Sequence, residues 1–150
     1  MGKKRIVTKS AKEVLSETEK LESALKKEIK IKPSKIPEEA KIHILSTYNN
    51  TILNLTDMAG NTIYQTSAGK VGFSGTKKGT PYAASKAAEF LAEVVKYLNI
   101  QKIHVLVKGV GSGRDSALRT LAAKGLNILS IKDVTPIPHD GPRPKKVRRV

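Results

Sequence analysis

From Ile42 the chain alternates. Ile42, Ile44, Ser46 and Tyr48 fall on one side and His43, Leu45 and Thr47 on the other, a period of two that predicts a β-strand. Asn49-Asn50 marks a turn, and Thr51–Thr56 resumes as a second strand. Gly60-Asn61 is a hairpin signal, and Thr62–Thr66 follows as a third strand, completing an antiparallel meander. A glycine-rich loop runs from Ser67 to Gly79. Thr80-Pro81 then opens a helix, with threonine as the cap and proline in the first turn. The helix continues to about Leu98, and Ala83, Ala84, Ala87 and Ala88 give it a small-residue face for close packing. Ile103–Val107 is nearly all apolar, the pattern of a strand buried on both faces. After the loop Gly109–Gly113 a second helix is predicted from about Asp115 to Ala123, closed by Gly125 as a left-handed cap. Leu126–Ile131 is the last strand. The order β-β-β-α-β-α-β predicts a single-domain α/β fold, a mixed five-stranded sheet with helices packed on it.

The pattern changes at both ends. Val14, Thr18, Leu21, Leu25 and Glu28/Ile29 recur at helical spacing, and Ser10 with Glu13, then Ser16 with Glu19, match capping boxes. Residues 11–30 are therefore predicted as one amphipathic helix with a thin apolar stripe, which either folds against a partner or is a charged helix with no specific role. Pro33 and Pro37 link it to the body. At the other end, Asp133–Val150 holds Pro136, Pro138, Pro142 and Pro144, which fix φ and deny an inner strand its N–H donors. This is a stiff, extended arm. The expected division is an extension at 1–38, a body at 39–134 and the arm at 135–150.

Charge alters the picture. The 150 residues carry a net +15, which opposes folding in isolation and suits a polyanionic partner. Residues 143–150 hold Arg143, Lys145, Lys146, Arg148 and Arg149 and no acid. No apolar run approaches the ~18 residues of a membrane span, so no membrane partner is expected. There are no cysteines, and His43, His104 and His139 are scattered, which excludes disulfides and thiolate zinc sites and leaves no metal-ligand spacing. The lysines at the N-terminus precede no apolar core, so a secretory signal is not expected and a cytoplasmic location follows.

Both glycine loops precede a helix N-terminus, where unpaired N–H groups and the positive end of the dipole favour an anion. The first loop adds Lys70, Lys77 and Lys78, the second Lys108 and Arg114. Neither is a P-loop or a dinucleotide fingerprint, and each alone is better read as an ordinary tight turn. Two together favour phosphate contacts. The aromatics are dispersed. Phe73 in the first loop is a candidate for stacking on a base or, alternatively, an apolar anchor for that loop. Asp57 and Asp115 have structural explanations, at a turn and in a first helical turn, so no catalytic set is expected. A metal-dependent nuclease and a nonspecific nucleic-acid binder are the rival readings.

Five blocks then carry a resemblance: Asn49-Asn-Thr51, Ser67–Phe73, Lys78–Ala84, Gly109–Arg114 and Asp133–His139. Together they resemble the small-subunit ribosomal protein S-eleven family, bacterial-type in the first loop. The resemblance implies a ribonuclease H-like fold without nuclease activity or cofactor. It also implies a non-enzymatic constituent of the platform of the small subunit, bound to rRNA and not a homo-oligomer. The protein pair numbered six and eighteen, protein seven and, where present, protein twenty-one would be neighbours, with messenger RNA nearby. By position, Asn50, Lys70, Ser74, Lys77, Lys78 and Thr80 would meet rRNA, as would Lys108, Gly111, Ser112, Gly113 and Arg114. The arm would add His139, Arg143, Lys145, Lys146, Arg148 and Arg149. Three departures stand out. The N-terminal extension is longer than usual, and Val147 interrupts the terminal basic run. Asp140-Gly141-Pro142 replaces the Asn-Gly-Cys of many members. An Asp-Gly bond cyclises readily, so Asp140 is a candidate isoaspartyl site, with a plain Asp-Gly turn as the more ordinary alternative.

Overall fold

The computed structural model describes residues 37–143 and 145–146. The expected helix at 11–30 and Arg148 and Arg149 of the arm lie outside the described residues. Strands β1 (Glu39–Ser46), β2 (Thr51–Thr56) and β3 (Thr62–Ser67) form the meander. A 3-10 turn (Gly75–Gly79) leads into helix α1 (Pro81–Tyr97), followed by β4 (Lys102–Lys108), α2 (Gly113–Ala123) and β5 (Ile128–Asp133). The sheet order is β3-β2-β1-β4-β5. β1–β2 and β2–β3 pair antiparallel, and β1–β4 and β4–β5 pair parallel. This is the mixed five-stranded sheet that the element order predicts. β1 occupies the centre, and each helix spans a crossover between parallel strands.

Local chemistry accounts for the boundaries. Thr80 Oγ1 accepts from the Ala83 N–H at 3.3 Å and Pro81 takes the first helical position, so α1 starts where threonine and proline place it. Gly125 adopts φ +75° beyond α2, the left-handed stop that a Cβ would disfavour. β1 begins three residues before the expected Ile42. Glu39 registers with Lys102 in β4, and their side chains form an ion pair of 2.7 Å.

Burial follows one face. Ala40, Ile42, Ile44 and Ser46 of β1 are fully buried, with Leu53 and Leu55 of β2 and Ile103 and Val105 of β4. The pairings Ile42–Leu55, Ile44–Leu53 and Ile42–Val105 put these side chains on the same side. They meet Ala84, Ala87, Ala88, Leu91, Val94 and Val95 of α1 and Ala117 and Leu121 of α2. The expectation that Ile103–Val107 is buried on both faces is not met. β4 alternates, with His104 and Leu106 only half-buried, because both helices pack on the face of Ile103, Val105 and Val107. Among the described residues nothing covers the opposite face.

Ile44→Ala should therefore cost about 3 kcal/mol in chemical denaturation, through reduced burial and a residual cavity. Leu106→Ala on the open face should cost about 1 kcal/mol. Equal costs would mean that the second face is covered.

Candidate nucleic-acid interface

The parallel pairing of β1 with β4 and of β4 with β5 brings their carboxyl ends, at Ser46, Lys108 and Asp133, to one end of the sheet. The β1–β2 turn (47–50), the first glycine loop (68–79) and the second (109–112) gather there, with both helix N-termini and the root of the arm. The expected contact residues of the body therefore converge although they come from three separate stretches of chain.

The loops are bound to each other. Ser112 Oγ donates to the Gly79 carbonyl at 2.8 Å, tying the second loop to the first. The Gly111 N–H donates to the Ser46 carbonyl at 3.1 Å. Glycine here serves packing. A Cβ on Gly79 would strike the Tyr48 carbonyl, one on Gly109 the Ser46 carbonyl, and one on Gly111 the Thr47 carbonyl. A Cβ on Gly113 would strike Thr51 Oγ1 and Ala84 Cβ. Gly109 also needs its φ of +102°. Gly111 and Gly113 are buried against the body, while Val110 and Ser112 are exposed.

The cations divide by environment. Lys77 and Lys108 are exposed and Lys78 is half-buried. Lys70 Nζ donates to Tyr64 Oη at 2.8 Å and lies 4.5 Å from that ring's centroid. Ser74 precedes the 3-10 turn without a side-chain capping bond. Thr80 Oγ1 donates to the Lys77 carbonyl at 2.7 Å, so its hydroxyl sets the entry to α1. Asn50 supplies the backbone of the β1–β2 turn, its carbonyl accepting from the Thr47 N–H at 2.9 Å.

Arg114 anchors the arm. Its Nη2 meets Asp133 Oδ2 at 2.6 Å and its Nη1 donates to the Gly109 carbonyl at 3.1 Å. The Thr135 hydroxyl donates to Asp133 Oδ1 at 2.7 Å and accepts from the Gly109 N–H at 3.0 Å. The Thr135 N–H adds a bond to Asp133 Oδ1 at 2.9 Å. The Thr135 hydroxyl, then the Arg114 guanidinium, then the Thr135 N–H hold the Asp133 carboxyl far below the usual carboxylate range. Sequence reasoning missed this knot. Asp133 followed two residues later by Thr135 at a strand end is an Asx-turn signal that would have found it. Farther along, His139, Asp140, Arg143, Lys145 and Lys146 are exposed, and Asp140 has φ +48°.

Tyr48 and Tyr82 were not among the expected contact residues. They are 79% and 63% exposed at the loop end. Phe73 is half-buried and packs edge-on to Tyr82 with centroids 5.8 Å apart, which fits the anchoring alternative for that loop. Asp57, by contrast, sits at the far end of the sheet. It accepts from the Asn61 N–H and Nδ2, both at 2.8 Å, and thereby shapes the β2–β3 hairpin. Among the described residues no three His, Cys, Asp or Glu side chains are placed to hold a metal, and no helix is long and apolar enough to cross a membrane.

The site is thus an α/β body with backbone-packed loops, lysines on them and an anchored basic arm, which is the build of a structural protein with a cationic end. The sequence model of "Ribosomal protein S11" matches residues 40–149. The chain is 59% identical over 109 residues to the small ribosomal subunit protein uS11 of Thermotoga maritima, covering 73% of this chain and 84% of that one. It is 53% identical over 111 residues to the uS11 of Endomicrobium trichonymphae, covering 74% and 85%. The chain belongs to the ribosomal protein S11 family, in its bacterial type. That family is a structural component of the small ribosomal subunit, not an enzyme.

Two outcomes test this geometry. Gly111→Ala should destabilise the protein by about 2 kcal/mol in thermal unfolding, since the new methyl meets backbone that cannot yield cheaply. Asp133 titrates lower folded than unfolded. Its contribution is therefore full above the unfolded value, near about pH 4, and disappears as pH falls toward the folded one. The Asp133 carboxyl carbon resonance should accordingly stay flat from neutral pH down to about pH 4.

Proposed function

We propose that this protein binds small-subunit rRNA through the loop end of its body and its C-terminal arm, and helps to form the platform near the exit site for messenger and transfer RNA. The observation that carries the reading is convergence. Lys77, Lys78 and Lys108 stand on one end of the sheet, beside the anchored root of an arm bearing Arg143, Lys145 and Lys146. Lysines on a rigid base meet phosphates with little ordering cost, and the fixed loops set register. Tyr48 and Tyr82 offer ring faces to unpaired bases.

The finer expectations belong to the same proposal. Ser74, Thr80, Ser112 and Arg114 line the contact, His139 and the terminal arginines extend it, and the extension, body and arm act as separate parts. The neighbours would be the six–eighteen pair, protein seven and, where present, protein twenty-one, with messenger RNA close by, in the cytoplasm. Asp140-Gly141 forms an isoaspartyl link in this reading. The Gly141 nitrogen attacks the Asp140 carboxyl carbon with loss of water, and water reopens the ring on either side. Absence of labelling by isoaspartyl methyltransferase would remove this last point.

The protein should travel with small subunits on a sucrose gradient; free protein at the top of the gradient would overturn the proposal. Deleting residues 143–150 should weaken rRNA binding with the body still folded. The log–log salt slope should flatten by up to ~0.9 for each phosphate that the arm no longer neutralises. Cleavage of RNA that needs a divalent metal and is abolished in Asp57→Asn would instead favour a nuclease, and equal affinity for unrelated RNAs a nonspecific binder.

A further inference from the structure

The open face of the sheet holds a hollow of about 420 Å³. Leu45, Ile52 and Leu106 form its apolar floor, and His43, Asn54 and Gln65 supply its polar groups. Lys108 and Val134 stand at its edge, and no carboxylate lines it. On the same face Lys41, His104 and Lys132 add basic groups, while Glu39, beyond Lys41, is tied to Lys102.

We propose that this hollow takes the base of one unpaired rRNA nucleotide, with Lys108 on an adjacent phosphate. The inference rests on the rRNA reading above and extends it from the loop end to the sheet face. Three observations carry it. First, the lining is apolar with a few amide and imidazole groups. Such a site accepts an unstacked base and hydrogen-bonds its edges. Asn54 Nδ2 donates to Thr62 Oγ1 at 3.2 Å, leaving Oδ1 as an acceptor with no partner among the described residues. Burial, then Lys41, lowers the His43 pKa, so its imidazole is neutral at physiological pH and offers both a donor and an acceptor. Second, a cationic rim without carboxylates suits a nucleotide better than a basic or purely apolar partner. Third, Lys108 is shared. It edges the hollow and leads into the Gly109–Gly113 loop, so a strand of RNA crossing the loop end reaches the sheet face without leaving the protein.

Salt dependence separates the two kinds of contact. A base in the hollow contributes hydrogen bonds and apolar contact, whereas lysines contribute counterion release. In the full-length protein, Leu106→Trp fills the hollow and should weaken binding to small-subunit rRNA about tenfold with the salt slope unchanged. Gln65→Leu, which keeps the volume and removes the amide, should act in the same direction. Lys77→Ala with Lys78→Ala should instead reduce the slope. Ultraviolet crosslinking in reconstituted subunits should then mark peptides containing 43–45, 52–54 or 106–108 as well as the loops. Thermal unfolding confirms that each variant is folded. Parent-like binding by folded Leu106→Trp and Gln65→Leu overturns the proposal, as do crosslinks confined to loops and arm, and in both cases the rRNA reading survives. A face that becomes reactive in RNA-free protein only when residues 1–36 are removed also overturns it, since the chain's own extension would then be the occupant. If nothing crosslinks and binding is absent, the rRNA reading falls and this inference with it.

Discussion

The carboxyl end of β1 is where the chain is most crowded. The carbonyls of Ser46, Thr47 and Tyr48 are each approached by a glycine from another loop, Gly109, Gly111 and Gly79 respectively, and a side chain at any of the three would collide with backbone. Backbone against backbone yields little, so three loops that would otherwise wander are held as one surface. The rest of the interface depends on that contact. Ser112 reaches Gly79 because both loops lie on the same strand end, and Lys77, Lys78 and Lys108 project from a base braced by these backbone contacts. Preorganisation of this kind lowers the cost of binding without adding a single interaction.

The sheet explains why the crowding falls there. β1 is central and parallel to β4, so both run toward the same end, and each crossover helix must begin there. Alanine at positions 84, 87 and 88 lets α1 lie close to the sheet and α2, and Gly113 completes the approach at the helix starts. With both helices on one side, the other side of the sheet keeps Leu45, Ile52 and Leu106 within reach of solvent. A net charge of +15 would discourage so open a molecule from standing alone. It is consistent with a protein completed by a polyanion.

Much of this was legible in the chain, because the signals were local. Thr80-Pro81 placed a helix start, Gly125 a helix stop, and the alternation from Ile42 the central strand. What was not legible depended on partners distant in sequence. Ile103-His-Val-Leu-Val107 reads as buried on both faces, since nothing within it reveals that both helices cover the same side. The glycines of the two loops read as room for a phosphate. The space beside Gly109, Gly111 and Gly79 is instead taken by the β1–β2 turn and the strand end before it, far upstream in the chain. The blocks that carry the family resemblance coincide with these contacts. Part of what identifies the family is therefore the packing that holds its loops.

Arg114 packs in this way and still keeps donors to spare. Sequence reasoning expected it on RNA, and the structure places it on Asp133 and the Gly109 carbonyl. These are not exclusive. A guanidinium has more N–H donors than these two bonds consume, and their fork geometry is rigid. The donors that remain are fixed in direction by the two already engaged. Asp133 balances the charge of Arg114 without removing it from the surface, since their side chains are 52% and 31% exposed. A phosphate arriving at the loop end would therefore find a positioned donor, and the root of the arm would not have to come apart to supply it. A lysine in that place would have to choose. Its single ammonium on a flexible stem would not hold Asp133 and Gly109 in this fixed fork while meeting a phosphate, and the direction of the basic arm would then depend on whether RNA was bound.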